Sequence, residues 1–140
     1  MFNYYPNRLV LFASAIFVSF FFNSGAGAQT CGGAAPCFCG DTVTSNKNLS
    51  GADPIVGDKC PVNGLEVNGG VTLDLKGNTI QGLENGIGIV INGDGATIKS
   101  GKVESFGTGI SGVTDDSTIQ NVRAYFHVGD GIYLEGNGTT

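Results

Sequence analysis

Apolar and polar residues alternate over Gly70–Gly82, which reads GVTLDLKGNTIQG. Val71, Leu73 and Leu75 hold every second position, with Thr72 and Asp74 between them. This is the period-2 pattern of a strand with one buried and one solvated face. Lys76-Gly77-Asn78 interrupts it. Gly and Asn tolerate positive φ, so the interruption predicts a sharp bend, after which Thr79-Ile80 resumes an extended, inward-pointing pattern.

The pattern returns downstream. Ala96-Thr97-Ile98-Lys99-Ser100 followed by Gly101-Lys102-Val103 matches Ser117-Thr118-Ile119-Gln120-Asn121 followed by Val122-Arg123-Ala124, 21 residues later. A second column, Asn85-Gly86-Ile87, Thr108-Gly109-Ile110 and Asp130-Gly131-Ile132, recurs after 23 and then 22 residues. Two columns with one period predict a solenoid. Leucine-rich repeats need a leucine ladder and a helical segment per unit, whereas these units are glycine-rich and leucine-poor, so the prediction is an all-β, parallel β-helix. Its coils start near Val71, Ala96 and Ser117, and Ile132-Tyr133-Leu134 opens another. Aligned rungs would stack Ile98 on Ile119 in the core. Outside, they would place Asp74, Lys99 and Gln120 in one column, Lys102 beside Arg123, and Glu104 beside Tyr125.

Upstream, 41–69 is polar and turn-rich. Thr42-Val43-Thr44 and Leu65-Glu66-Val67 are the expected strands, while Asp53-Pro54 and Cys60-Pro61 limit regular structure. The division is therefore a cap and first coil over 29–69 and β-helix coils over 70–140. Gly136-Asn137-Gly138-Thr139-Thr140 holds no recognisable C-terminal cap. That leads to the expectation of a truncated, N-terminal portion of a longer solenoid, with end-to-end association through an open last rung.

Residues 1–28 read as a signal peptide. Arg8 supplies the positive region, Leu9 to Phe22 is an uncharged apolar run too short for an ordinary membrane span, and Ala26-Gly27-Ala28 is a small-residue cleavage site. A secreted protein, extracellular or periplasmic, is expected, with no membrane association once the signal is removed. The remaining 112 residues carry 6 basic and 12 acidic side chains, a net charge of −6, and no Trp. Such a chain is a poor partner for nucleic acid, whose affinity rests on cations meeting phosphates.

Export gives the four cysteines a different meaning. An even count in an oxidising compartment predicts disulfides, with three possible connectivities. One residue separates Cys37 from Cys39, so joining them directly would strain the backbone; Cys31 with Cys37 and Cys39 with Cys60 is the favoured pairing, a staple for the cap. Zinc ligands come in pairs with wider spacing and a second pair nearby, so no metal is expected. The calcium nonapeptide is also broken, with Thr72 at its third glycine position and Lys76 at its apolar one. No cofactor is expected.

The stretch CGDTVTSNKNLSG, a following cysteine, VTLDLKGNTIQG and the recurring Gly-Ile steps resemble secreted right-handed parallel β-helix proteins of the pectin-lyase-like superfamily, over about Cys39 to Leu134. The resemblance implies a function on extracellular, acidic polysaccharide, as a recognition module or as a lyase, hydrolase or epimerase. It does not specify an activity, because fold does not imply function. The hydrolases of this fold set clustered aspartates across a sugar bond, which makes Asp115 and Asp116 candidates. Asp-Asp between Thr114 and Ser117 is also ordinary turn chemistry. His127 with Asp130 would serve as base and orienter. The family motifs fail around them: His127 precedes Val128-Gly129 outside a Gly-His-Gly setting, Arg123 is not in an Arg-x-Lys pair, and Asp53-Pro54 is only half of Asp-Pro-His-Asp. Substrate binding is expected from the outer-face cations Lys99, Lys102 and Arg123, with Tyr125 stacking on a sugar ring. The alternative is a non-catalytic surface scaffold or adhesin-like segment.

Overall fold

The computed structural model describes residues 28–140. The expected signal segment lies outside the described residues except for Ala28. The rest forms an all-β parallel solenoid of about four turns, with one sheet ordered β1-β2-β5-β8-β10-β12 and a second built from β3, β6, β9, β11, β7 and β4. The first rung holds β2 (Thr42–Val43), β3 (Lys47–Asn48), helix α1 (Pro54–Gly57) and β4 (Lys59–Cys60), with β1 (Thr30–Cys31) beneath it. The second holds β5 (Leu65–Asn68), β6 (Thr72–Asp74) and β7 (Thr79–Gly82). The third holds β8 (Ile87–Asn92) and β9 (Thr97–Glu104), and the fourth β10 (Thr108–Val113) and β11 (Thr118–Tyr125); β12 (Ile132–Glu135) opens the next.

Inward side chains form columns. Leu65, Ile89, Ile110 and Ile132 stack through the first sheet, and Leu73, Ile98 and Ile119 through the second, as the repeat predicted. The Gly-Ile column differs in one step. Gly109-Ile110 sits over Gly88-Ile89 and not over Gly86-Ile87, whereas Gly131-Ile132 does lie over Gly109-Ile110. The glycines have a packing role here: a Cβ at Gly88 would run into Val103, Phe106 and the Gly109 carbonyl. Only a bare backbone passes that close.

The bend after Leu75 is present, with Gly77 at positive φ as expected but Lys76 in place of Asn78 beside it. Lys76 and Gly77 take positive φ, at 50° and 81°. Asn78 works through its side chain instead, Nδ2 donating to the Leu75 and Leu49 carbonyls at 2.9 and 3.2 Å. Asp74, expected on a solvated face, is only 5% exposed. Lys76 and Lys99 reach over it at 3.1 and 3.6 Å, and the Lys76 N–H donates to its Oδ1. Burial pushes this carboxyl up, but those hydrogen bonds and charges hold it below the ordinary aspartate value.

Both expected disulfides are present, Cys31–Cys37 and Cys39–Cys60. Together with the chain between them they close the lower end, where Cys31, Cys37 and Cys60 are at most 3% exposed. Asp53-Pro54 does more than break structure: Pro54 starts α1, where its fixed φ suits the first helical position and its missing N–H costs nothing. Side chains of Asn and Asp tie successive turns. The Oδ1 atoms of Asn46, Asn63, Asp94 and Asp115 accept the N–H of Thr72, Ile87, Asp115 and Asn137, all within 2.9 Å.

Candidate functional site

β9 and β11 each run for eight residues around a corner. The corner exists because Ser100 and Asn121 adopt positive φ, 60° and 55°, so the first half of β9 pairs with β6 and its second half with β7. Beyond the corner the strands alternate again. Val103 is fully buried, which sets Lys102 and Glu104 on the outer face. β11 repeats this one rung on, with Arg123 in register with Lys102 and Tyr125 with Glu104, about 4.8 Å apart as neighbouring strands are. The face continues downward through Thr79, opposite Lys102, and through Gln81 and Lys59, below Glu104.

Lys102, Arg123 and Tyr125 line an open hollow of about 560 Å³ together with Val122, Ala124 and Ile132. Two cations, one aromatic ring and an apolar floor therefore converge at one place. The Tyr125 ring meets Phe126 edge-on, with centroids 4.8 Å apart. A hydrogen bond to Glu104 raises the Tyr125 phenol above its ordinary value, with burial and the Glu104 charge acting the same way and Arg123 opposing them. The hydroxyl therefore stays protonated, fit to donate or accept.

The other candidates lie elsewhere. Lys99 precedes the corner and is taken up with Asp74 at 3.6 Å, so it does not join Lys102 and Arg123. Asp115 and Asp116 occupy the turn between β10 and β11. Asp115 Oδ1 accepts the Asn137 N–H at 2.7 Å, and Asp116 holds a positive φ of 53°. His127 lies over Phe106 with ring centroids 6.5 Å apart, and its Nδ1 accepts the Phe106 N–H at 3.2 Å. Among the described residues no hydrogen bond links it to Asp130, and its buried Nε2 has no partner. The side chains of Lys99, Asp115 and His127 each hold one rung to another, and Asp116 does so through its backbone N–H, which donates to the Asn137 carbonyl at 2.9 Å.

Sequence reasoning missed the apolar floor of the hollow. Val122, Ala124 and Ile132 follow the inward pattern in sequence, yet they line the hollow beside the outward Lys102, Arg123 and Tyr125. Among the described residues no group of histidine, cysteine and carboxylate side chains is arranged to hold a metal ion, and no helix is long and apolar enough to cross a membrane. Comparison with protein families, with curated proteins and with solved structures returns no match.

Proposed function

We propose that this chain is a secreted carbohydrate-recognition solenoid that binds an acidic polysaccharide along the outer face of β9 and β11. The observation that carries the reading is the register of Arg123 on Lys102 with Tyr125 beside them over one hollow. Cations one rung apart suit carboxylates repeated along a polymer, and a tyrosine face suits a sugar ring. The pectin-lyase-like resemblance points to the same substrate class. The two disulfides and the signal-like 1–28 segment fit an oxidising compartment outside the cytoplasm.

Recognition is favoured over processing because the candidate acids and base, Asp115 and His127, are committed to ties between rungs. That same observation supports the second reading, a scaffold without catalysis. Calorimetric titration with pectate and alginate separates them. Saturable binding that weakens with added salt is expected, and Lys102→Ala with Arg123→Ala should remove about 1–3 kcal/mol of it, for two charge-assisted contacts, while leaving the melting temperature in place. Absence of saturable binding by the folded chain would leave the scaffold reading.

A further inference from the structure

Among the described residues the ion pairs are Lys47 with Asp53 and Asp74 with Lys76 and Lys99, and none of these involves Lys102, Glu104 or Arg123. The charges on the outer face of β9 and β11 are sorted by column instead. One column holds Thr79, Lys102 and Arg123, the other Lys59, Gln81, Glu104 and Tyr125. Two residues of strand, about 6.6 Å, separate the columns. The first sets two cations on successive rungs. The second sets the Glu104 carboxylate in register with Tyr125 and within hydrogen-bonding reach of its hydroxyl. At the foot of the second column Lys59 and Glu84 line an open hollow of about 280 Å³ with Gln81, Leu83 and Ser105, so a cation there is matched by an acid.

Resting on the reading of this face as an acidic-polysaccharide site, we infer that Glu104 is its specificity-determining residue and that the ligand alternates acidic and neutral sugars, the acidic unit meeting Lys102 and Arg123 and the neutral ring lying on Tyr125 with a hydroxyl donated to Glu104. An ionised carboxylate accepts hydrogen bonds and cannot donate them, so Glu104 suits sugar hydroxyls and repels a second carboxylate brought beside it. Tyr125 adds an apolar ring face for the same unit. A polymer with an acid on every unit sets carboxylates over both columns, whereas an alternating one can set its acids on the first column and its neutral rings on the second. Charge density alone favours the fully acidic polymer, because surface cations attract every carboxylate near them. Glu104 reverses that preference.

Calorimetric titration at one salt concentration compares pectate, with a uronate at every unit, and hyaluronan, in which glucuronate alternates with neutral N-acetylglucosamine. Per mole of carboxylate, hyaluronan should bind about fivefold more tightly, the effect of one like charge at contact distance in water. Glu104→Gln removes the charge and keeps a hydrogen-bonding partner for the Tyr125 hydroxyl. It should tighten pectate about fivefold without tightening hyaluronan, and leave the melting temperature in place. Pectate bound by the wild-type chain as tightly as hyaluronan, or more tightly, overturns the alternating ligand and leaves the acidic-polysaccharide reading standing. So does a Glu104→Gln variant that keeps the ratio of the two affinities unchanged. Saturable binding of neither polymer overturns both.

Discussion

Lys47 Nζ lies 2.7 Å from Asp53 Oδ1, with the two side chains 4% and 3% exposed. The pair clamps the cap onto the first rung, and its polar capacity is well used. Lys47 also donates to the Ala35 carbonyl at 2.8 Å, and Asp53 accepts from the N–H groups of Cys37 and Ser50 at 3.0 and 2.8 Å. One contact therefore joins the disulfide-linked segment, β3 and the entry to α1.

Removing one partner of such a pair strands a buried charge, which is worse than never having had the pair. Lys47→Met is expected to cost about 3–5 kcal/mol in urea unfolding. Lys47→Met combined with Asp53→Leu should recover much of that loss. A single variant as stable as wild type would mean that water reaches Asp53.

The same carboxylate predicts acid sensitivity. Burial pushes Asp53 up, but the Lys47 hydrogen bond, the Ser50 and Cys37 N–H groups and the Lys47 charge outweigh it and hold the native value below the ordinary 3.8. With the native value below the unfolded one, the stabilisation is complete above 3.8 and fades as pH falls through the native value. Asp74 acts in the same direction. Melting temperatures should be level at neutral pH and drop below about pH 4, as expected for depressed carboxylates, less steeply in Asp53→Asn. Parallel acid slopes in the two proteins would refute the assignment.

Gly88 has no room for a methyl group between Val103, Phe106 and the Gly109 carbonyl. Gly88→Ala should destabilise by about 1–3 kcal/mol, as overpacking does, although alanine is ordinarily the easier residue to order. Gly57, with nothing within 4 Å of its Cβ position, is the control. Equal effects at the two sites, read from denaturant midpoints, would show that the register of the glycine column is wrong.

Ile98 and Ile119 share a column but not an environment. Ile98 is fully buried, while Ile119 is only partly covered. Ile98→Ala is expected to cost about 3 kcal/mol and Ile119→Ala about 1 kcal/mol, in step with the apolar surface each covers. The repeat alone treats the two as equivalent. Similar losses at both positions in the same unfolding experiment would show that Ile119 is as fully covered as Ile98.

The alternation and the 21-residue repeat were enough to determine the parallel solenoid and the register of Ile119 on Ile98 and of Arg123 on Lys102, and the cysteine spacing favoured, out of three connectivities, the pairing that forms. These follow from local rules: side chains alternate along a strand, rungs stack at a fixed spacing, and adjacent cysteines bridge poorly. The Gly-Ile column was misplaced by two residues in one rung because Gly86-Ile87 and Gly88-Ile89 have the same local pattern, and only close packing against Val103 separates them. Three further features were decided by the tertiary structure. Asp74 and the Lys47–Asp53 pair are buried because residues far away in sequence fold over them, and the desolvation of a charge depends on those neighbours. Lys99 was separated from Lys102 by the corner at Ser100, which turns one strand onto two faces. Val122, Ala124 and Ile132 have the pattern of core residues, and their place beside Lys102, Arg123 and Tyr125 at one hollow follows from the register of β9, β11, β10 and β12 and not from any residue's own chemistry.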